Sequence, residues 1–192
     1  MKMIYLLRHG LDNEDYIGGH SDIDLIDLGV KQVKKSALFI RNNLEIDNII
    51  SSDIKRCVST SKIVRDSYYK HLPIYLDSSL RELDKGILTG REKKGLTEYE
   101  REIFMKGNTD IDYRFVGGES MRDMYKRVHS LLDSGYFLDK DSSLIVTHRG
   151  IINMIYFIFN EEELTLNKER FNVGHASVHE MDLNKRLIKR IY

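Results

Sequence analysis

The chain alternates short apolar runs with longer stretches in which apolar residues recur every three or four positions. The first run, residues 3–7, ends abruptly at Arg8, as is typical of a buried central strand. We expect Asp27 to cap a helix whose apolar face comprises Val30, Val33, Ala37, Ile40 and Leu44. The same patterns predict strands at 48–51, 74–76 and 144–146, helices at 54–68, 96–105 and 120–132, a helix ending at Phe159, and a closing hairpin of 178–183 and 187–191.

Strands that alternate with helices predict an α/β protein. The expected architecture is a three-layer α/β/α sandwich with a mostly parallel central sheet. Between about residues 85 and 118 the pattern weakens, and charged residues lie between frequent glycines. We interpret this stretch as a lid insertion. No repeat or linker divides the chain, so residues 1–192 are predicted to form a single domain.

Composition narrows the possible partners. Thirty basic and thirty acidic residues cancel, so the chain lacks the charge signature of a nucleic-acid or membrane-binding protein. The one cysteine, Cys57, excludes an internal disulfide and fits a reducing cytoplasm. The N-terminal apolar run is too short for a signal peptide, and the later run at 151–159 contains Asn153 and is too short to span a bilayer. We therefore predict a cytoplasmic protein with no nucleic-acid or membrane partner, and leave its oligomeric state open.

Two histidines follow two of the predicted buried strands. His9 comes directly after the first strand with Arg8 beside it, and His148 follows a later strand with Arg149 beside it. Ligands of α/β proteins gather at the carboxyl ends of the strands, so both imidazoles are expected at one edge of the sheet. Arg56 lies near the start of the helix that follows strand 48–51, and we expect it at the same edge.

This combination of side chains suits phosphoryl transfer. A phosphoryl group carries about two negative charges, which guanidinium groups bind in a bidentate manner. Positioning and charge stabilisation supply most of the catalysis, and a neutral histidine nitrogen can act as nucleophile without a metal. A leaving alkoxide needs a proton, and Glu82, which follows another predicted strand, is placed to supply it.

The motifs resemble those of the histidine phosphatase superfamily, the phosphoglycerate-mutase-like proteins with an Arg-His-Gly motif. Six similar segments occur in the family's order and cover most of the chain. They are Leu6-Leu7-Arg8-His9-Gly10; Gly19, Asp22, Leu25, Gly29 and Gln32; Ser51-Ser52-Asp53-Ile54-Lys55-Arg56; Leu80-Arg81-Glu82 with Gly86 and Gly90; Gly117-Gly118-Glu119-Ser120 with Arg127-Val128; and Val146-Thr147-His148.

The resemblance implies a role for each matched residue. His9 would become the phosphohistidine, and Arg8, Arg56 and His148 would hold the phosphate. Glu82 would donate a proton to the leaving group and later accept one from the attacking water. The resemblance implies no metal and no cofactor.

The chain departs from the family pattern in the loop after Arg-His-Gly. Leu11 and Asp12 stand where the family usually has Glu or Gln and then Thr or Ser, and Asp15 replaces a common Asn, with Asn13 nearby. Carboxylates beside a phosphate are unfavourable unless they are paired. Arg149 replaces a frequent Gly. We expect Asn13 and Arg149 to join the substrate-binding residues.

Other phosphatase chemistries fit the sequence less well. A cysteine phosphatase needs an arginine six residues after its nucleophile, and position 63 after Cys57 is Ile63. The Asp22–Asp24 pair resembles the paired aspartates of magnesium phosphatases, but it lacks the preceding apolar strand and a following Thr. The spacing of Cys and His does not fit a zinc site. The other histidines lack motif support, and His175 is the one most expected near the pocket; they are His20, His71, His129, His175 and His179.

Three functions are compatible with these residues. The leading prediction is metal-independent hydrolysis of a small phosphorylated metabolite through a phosphohistidine. A phosphoglycerate mutase, which returns the phosphate to a product, is the alternative within the family, although known mutases are longer. A non-catalytic domain that binds phosphorylated partners is the alternative of another class.

Overall fold

The computed structural model describes residues 3–137 and 142–192. Within these ranges the strands are β1 (Met3–Arg8), β2 (Asn48–Ser51), β3 (Ile74–Leu76), β4 (Ser143–Thr147), β5 (Val178–Asp182) and β6 (Leu187–Arg190). The α-helices in the same ranges are α1 (Asp27–Asn43), α2 (Lys55–Ser67), α3 (Glu98–Thr109), α4 (Met121–Asp133) and α5 (Arg149–Phe159). Three short 3₁₀ turns lie between β3 and α3.

The strands form one sheet in the order β3-β2-β4-β1-β5-β6. Strands β1 to β4 are parallel, whereas β5 runs antiparallel to β1 and β6 runs antiparallel to β5. Arg8 lies opposite Thr147, and Ser51 lies opposite Val146, so β1, β4 and β2 end at the same edge of the sheet. The mostly parallel sheet and the closing hairpin predicted from the sequence are confirmed.

Helices cover both faces of this sheet. Successive side chains of a strand point to opposite faces, and Leu6 and Leu7 accordingly lie in different hydrophobic clusters. On one face, Leu7 packs with Val33 of α1 and Val64 of α2. On the other face, Leu6 belongs to a cluster that includes Ile103 of α3, Met124 of α4 and Ile155 of α5. The predicted three-layer α/β/α sandwich is therefore confirmed.

The helix ends differ from the predictions in two places. Asp27 was expected to cap α1, but the N-cap residue is Ile26, which makes no side-chain capping bond, and Asp27 is in the first turn. The prediction that Asp27 caps the helix was wrong. A carboxylate in the first turn still stabilises the helix, because it interacts favourably with the helix dipole. Helix α3 starts at Glu98 because Thr97 and Glu100 form a capping box there, and it continues to Thr109 rather than ending at 105.

The segment at 85–118, interpreted above as a lid insertion, contributes to the hydrophobic core. Leu88, Leu96, Ile103 and Phe115 are buried in the cluster that also holds α4 and α5. Gly107 lets the Phe115 ring lie against α3, because a Cβ at this position would be 2.1 Å from the ring. The segment is thus packed onto the sandwich, and its role as a lid stays a prediction.

Helix α5 is the most deeply buried helix of the described chain. Eight of its 11 residues are buried. At about 1.5 Å per residue it is much shorter than the roughly 30 Å hydrocarbon core of a bilayer. In residues 3–137 and 142–192, none of the helices has the length and apolarity required to cross a membrane.

Acid is expected to destabilise this fold partly through His179 on β5. The ring is fully buried, and its nitrogens contact the hydroxyls of Tyr156 and Ser177. Burial lowers the pKa of His179 from 6.5 to about 3. At pH values between these two pKa values, the unfolded chain binds a proton at this ring and the native protein does not. The contribution of His179 to the free energy of unfolding is therefore complete above the unfolded pKa and decreases as the pH falls towards the folded pKa.

Lowering the pH from about 7 to about 5 should therefore reduce the free energy of unfolding by about 2 kcal/mol through this group. The measurement is denaturant unfolding of the native protein and of His179→Gln at both pH values. The variant should have the smaller pH dependence by about that amount. Equal pH dependence in the two proteins would contradict the prediction.

Candidate active site

The sheet edge formed by β1, β4 and β2 brings the two predicted histidines together. The backbone N–H of His9 donates to the Thr147 carbonyl over 3.0 Å, and the next residue, His148, caps α5. The imidazole centroids of His9 and His148 are 5.1 Å apart. Parallel strands that end in register therefore account for this meeting of residues far apart in the sequence.

His9 is held as a neutral imidazole. Its Nδ1 lies 2.7 Å from the Gly10 carbonyl, which can only accept, so Nδ1 carries the proton and Nε2 carries the lone pair. Burial, Arg56 and Arg8 lower the pKa of His9 well below 6.5. The sole partner of Nε2 in the described chain is Arg56 Nε, at 3.3 Å. The ring is therefore in the protonation state that a nucleophile requires.

Gly10 fixes the path of the chain behind His9. A Cβ at this position would lie 2.6 Å from both the Gly29 carbonyl oxygen and a methyl carbon of Val33 on α1. The glycine thus allows the loop after β1 to pass directly over the first turn of α1. The close approach holds the carbonyl that orients the imidazole.

Arg56, the second residue of α2, lies at the centre of the cluster. Its guanidinium is almost fully buried and donates to the Gly19 carbonyl over 2.8 Å, and its Nη2 is 3.2 Å from His148 Nδ1. Asp12 Oδ2 lies 3.4 Å from Arg56 Nε. Burial raises the pKa of Asp12 and Arg56 opposes that shift. The Asp12 carboxylate, which would be unfavourable beside a phosphate if it were unpaired, is thus paired with Arg56.

Arg8, the last residue of β1, also lines the pocket beside His9. Its Nη1 donates to the Val173 carbonyl over 2.8 Å, and its Nη2 is 2.6 Å from His175 Nε2. Its buried Nε has no partner within the described residues. Burial, followed by the nearby Arg149, lowers the pKa of Arg8 to about 10, so the guanidinium stays charged at neutral pH.

His175 is a pocket residue without a sequence motif. Burial, Arg8 and Arg149 lower its pKa to about 3, so the ring is neutral and can accept the Arg8 hydrogen bond. Its ring centroid lies 6.0 Å from that of His9. The sequence interpretation named it as the histidine most expected near the pocket, and it lines that pocket.

His148 joins the cluster behind Arg56. It is fully buried, and its Nε2 lies 2.9 Å from the Ser52 hydroxyl while its Nδ1 faces Arg56. Burial and Arg56 lower its pKa well below 6.5. Both ring nitrogens have protein partners, and the ring is not part of the pocket wall. The structure thus brings His148 to the predicted edge but against Arg56 rather than against the pocket.

Glu82 follows a 3₁₀ turn and reaches the first turn of α5. The Gly150 N–H donates to Oε2 over 3.1 Å, and the Leu83 N–H donates to Oε1 over 3.0 Å. A side chain at position 150 would occupy this place, because a Cβ there would be 2.0 Å from Oε1. The two N–H groups fix the carboxylate on the pocket wall.

Asn13 and Arg149 also line the pocket. Asn13 Oδ1 accepts from the Asp15 N–H over 3.0 Å in an exposed loop, and Arg149 Nη1 is 2.5 Å from Glu169 Oε1. Lys93, which the sequence interpretation did not single out, lies on the same wall. No motif distinguishes it, since it is one of several lysines in a charged stretch.

Together these residues line an open pocket of about 160 Å³. Its wall includes His9, Arg8, Arg56, Glu82, Arg149 and His175. Cys57 lies outside it, buried in α2, and burial raises the pKa of its thiol, which disfavours a thiolate nucleophile. In the described part of the chain, no group of three or more His, Cys, Asp or Glu side chains has the arrangement of a metal site. The pocket can hold an anion against guanidinium groups beside a neutral imidazole and a carboxyl group.

Curated relatives of the chain support this interpretation of the motifs. The chain is 37% identical over 157 residues to a protein named "Probable phosphoglycerate mutase GpmB" from Salmonella paratyphi A, covering 79% of this chain and 71% of the relative. A protein of the same name from Yersinia pestis is 36% identical over 155 residues, covering 77% and 70%.

Solved structures share the fold at lower sequence identity. Bacillus stearothermophilus YhfR superposes with a TM-score of 0.82 at 22% identity, covering 100% of this chain and 96% of that one. The alpha-ribazole phosphatase from Shigella flexneri gives 0.81 at 18% identity, covering 98% and 94%. The mycobacterial glucosyl-3-phosphoglycerate phosphatase gives 0.73 at 20% identity, covering 99% and 96%.

A family profile covers nearly the whole chain. The profile of the histidine phosphatase superfamily (branch 1) matches residues 4–189, which include both histidine motifs and the segment that carries Glu82. On this match, and on the identity with the curated relatives, the chain belongs to the histidine phosphatase superfamily.

Proposed function

We propose that the protein hydrolyses phosphomonoesters by transferring the phosphoryl group to Nε2 of His9. The observation that carries this proposal is the neutral His9 ring, with its lone pair on Nε2, in a pocket beside Arg8 and Arg56. Guanidinium groups bind the phosphate, and the imidazole is ready to attack without first losing a proton. We place the reaction in the cytoplasm and propose a small phosphorylated metabolite as substrate.

In the first step, the phosphate oxygens take the hydrogen bonds of Arg56 and the unpartnered Nε of Arg8. This releases the His9 lone pair from Arg56. Nε2 then forms a bond to phosphorus as the bond from phosphorus to the ester oxygen breaks, and the carboxyl group of Glu82 gives a proton to the leaving oxygen. The Gly10 carbonyl holds the Nδ1 proton of the cationic ring.

In the second step, the Glu82 carboxylate accepts a proton from a water molecule as that water attacks the phosphohistidine. The bond between phosphorus and Nε2 breaks, and phosphate leaves with His9 neutral again. His148 contacts Arg56 over 3.2 Å, so its proposed part in holding the phosphate is to orient that guanidinium. Asn13 and Arg149 are proposed to contact the substrate in the pocket.

Replacing Glu82 with glutamine should lower kcat/KM most for substrates whose leaving group most needs a proton. We expect kcat/KM for an alkyl phosphate such as glycerol phosphate to fall by about a hundredfold, and that for p-nitrophenyl phosphate to fall by less than about tenfold. Glu98→Gln, an exposed change on α3, is the matched control and should alter neither value. Equal losses on both substrates in Glu82→Gln would remove Glu82 from the acid role.

Chelation should leave the activity unchanged, because each proposed step uses only protein side chains and water. The measurement is phosphate release before and after dialysis against EDTA, with no metal added back. Loss of activity that returns with a divalent metal would contradict the proposed mechanism.

A phosphoglycerate mutase activity is the second candidate. The curated relatives at 36–37% identity carry that name, and mutase and phosphatase share the phosphohistidine step in this proposal. Incubation with 3-phosphoglycerate, with and without 2,3-bisphosphoglycerate, separates them. Release of inorganic phosphate supports hydrolysis, whereas formation of 2-phosphoglycerate without phosphate release would establish the mutase.

A further inference from the structure

A second cavity of about 180 Å³ adjoins the pocket that contains His9. The two share Gly19, Glu82 and Arg149 on their walls. We call this second space the leaving-group cavity; beyond the shared residues its wall includes Met121, Met124, Met154, Phe157, Lys85 and Lys168. Glu82, the proposed proton donor, therefore stands between the phosphate position and this cavity.

The inner part of the leaving-group cavity is apolar. Met121 and Met124 of α4 and Met154 and Phe157 of α5 line it, and each is less than a tenth exposed. Unbranched thioether side chains adapt to irregular and aromatic surfaces. A substrate portion lying there would replace water against an apolar wall, which favours an apolar or aromatic body over a polyhydroxylated one.

Two lysines of the same cavity lack carboxylate partners. Among the described residues, neither Lys85 nor Lys168 has a carboxylate oxygen within 4 Å of its ammonium group. By contrast, Arg91 and Arg149 form ion pairs with glutamates, and Lys93 donates to a backbone carbonyl. Lys85 Nζ instead lies 4.3 Å from the centroid of the Phe115 ring, and Lys168 Nζ donates to Asn108 Oδ1 over 2.7 Å.

The two ammonium groups repel each other across this cavity. Burial and the neighbouring Lys168 lower the pKa of Lys85 to about 8, and burial and Arg149 lower that of Lys168. Glu82 on the same wall offsets part of this repulsion, and an anion bound between the two lysines would offset more of it.

Asn153 adds an unpartnered polar atom. The residue is 4% exposed and lines the cavity, and its Nδ2 donates to the Lys168 carbonyl over 3.0 Å. Its buried Oδ1 has no partner within the described residues. Since a buried acceptor is normally satisfied, this oxygen indicates a place for a ligand donor or a bound water.

We propose that the leaving-group cavity binds the alcohol portion of a phosphomonoester that has an apolar or aromatic body and a carboxylate. The body would lie against the methionines and Phe157, and the carboxylate would lie between Lys85 and Lys168. This proposal rests on the proposed hydrolysis at His9, because it assigns the substrate class of the same site. Glu82 then faces the oxygen that joins the two portions of the substrate.

Matched aryl phosphates test the carboxylate. The 3- and 4-carboxyphenyl phosphates are compared with the corresponding carbamoylphenyl phosphates, which have similar size but no charge. We expect kcat/KM to favour at least one carboxylate ester by about tenfold, since hydrogen bonds to charged groups are the stronger ones. In Lys85→Met and Lys168→Met this preference should fall several-fold towards unity. Lys62→Met, an exposed change on α2, should retain it.

Binding of the alcohols separates this proposal from hydrolysis itself. Calorimetry with 4-hydroxybenzoate and 4-hydroxybenzamide, in inorganic phosphate, should show the same preference for the acid and the same dependence on the two lysines. Hydrolysis of all the esters with no carboxylate preference at either ring position would overturn the cavity proposal alone. A lysine-dependent preference in binding without hydrolysis of any ester would support the cavity proposal and contradict the proposed function.

Discussion

Replacing His9 with alanine is expected to lower kcat for every phosphomonoester by a factor of about 10⁴ or more. The substitution removes Nε2, which forms the bond to phosphorus in the proposed mechanism. Neither of the neighbouring histidines can replace it, because His148 is not on the pocket wall and His175 Nε2 is engaged with Arg8. Water attacking directly would retain only the stabilisation that the arginines supply.

The fold should survive this substitution. His9 follows the last residue of β1, and its backbone N–H still donates to Thr147 in the variant. Circular dichroism and thermal unfolding would check this, and phosphate binding should persist because the arginines remain. His71→Ala, which removes an exposed histidine elsewhere, is the control and should keep full activity. Turnover by His9→Ala within about tenfold of the native enzyme would exclude His9 as nucleophile.

Replacing Arg56 with lysine is expected to cost about 10³-fold in kcat/KM, although the charge is retained. The guanidinium lies within hydrogen-bonding distance of His9 Nε2, His148 Nδ1 and the Gly19 carbonyl at the same time. A planar fork can make these contacts from fixed directions, whereas an ammonium group is a single point of charge on a flexible chain. The lysine should therefore fail to align the phosphate with Nε2.

The same substitution should also affect stability. The Gly19 carbonyl loses its donor, and Asp12 loses the fixed geometry of its partner, so we expect a loss of about 1–3 kcal/mol in the free energy of unfolding. Arg65→Lys, in the last turn of the same helix, is the matched control and should change neither activity nor stability appreciably. If Arg56→Lys retained native kcat/KM, the guanidinium geometry would have no part in catalysis.

The secondary structure was predictable because the apolar positions in the sequence are the positions that pack into the hydrophobic core. The runs at β1 and β4 are buried strands, and the spacing of Val33, Ala37 and Ile40 does place one face of α1 on the sheet. The error at Asp27 arose because a good capping residue can equally occupy the first turn. Helix α3 extends beyond the predicted end although Gly107 and Asn108 normally favour turns. Gly107 packs against the Phe115 ring, and Asn108 Nδ2 donates to the Phe104 carbonyl within the helix.

The meeting of His9, Arg8, Arg56 and His148 was predictable because each lies at or soon after the end of a strand that was predicted to be parallel. Parallel strands that end at one edge of a sheet bring together the residues that follow them, and this does not depend on the conformations of the side chains. Side-chain direction was not predictable in this way, since it depends on the partners each group finds. His148 turns towards Ser52 and Arg56, and only the three-dimensional packing fixes that choice.

Residues from irregular segments were the hardest to predict. His175 contacts Arg8 across a separation of 167 positions, and it lies in a loop with no periodic pattern. The leaving-group cavity likewise depends on Lys85 and Lys168, which come from two loops that the sequence does not connect. Hydrophobic periodicity reports which face of an element is buried, and it carries no information on contacts between loops.

The most direct test of the central claim is to locate the phosphoryl group on the enzyme during turnover. The enzyme is mixed with excess substrate, quenched within milliseconds in alkaline denaturant that preserves phosphohistidine, digested and mapped by tandem mass spectrometry. We predict the added mass of one phosphoryl group on the His9 ring, and no such adduct in His9→Ala. A phosphoryl group trapped on another side chain, or full turnover with no trapped adduct in the native enzyme, would contradict this prediction.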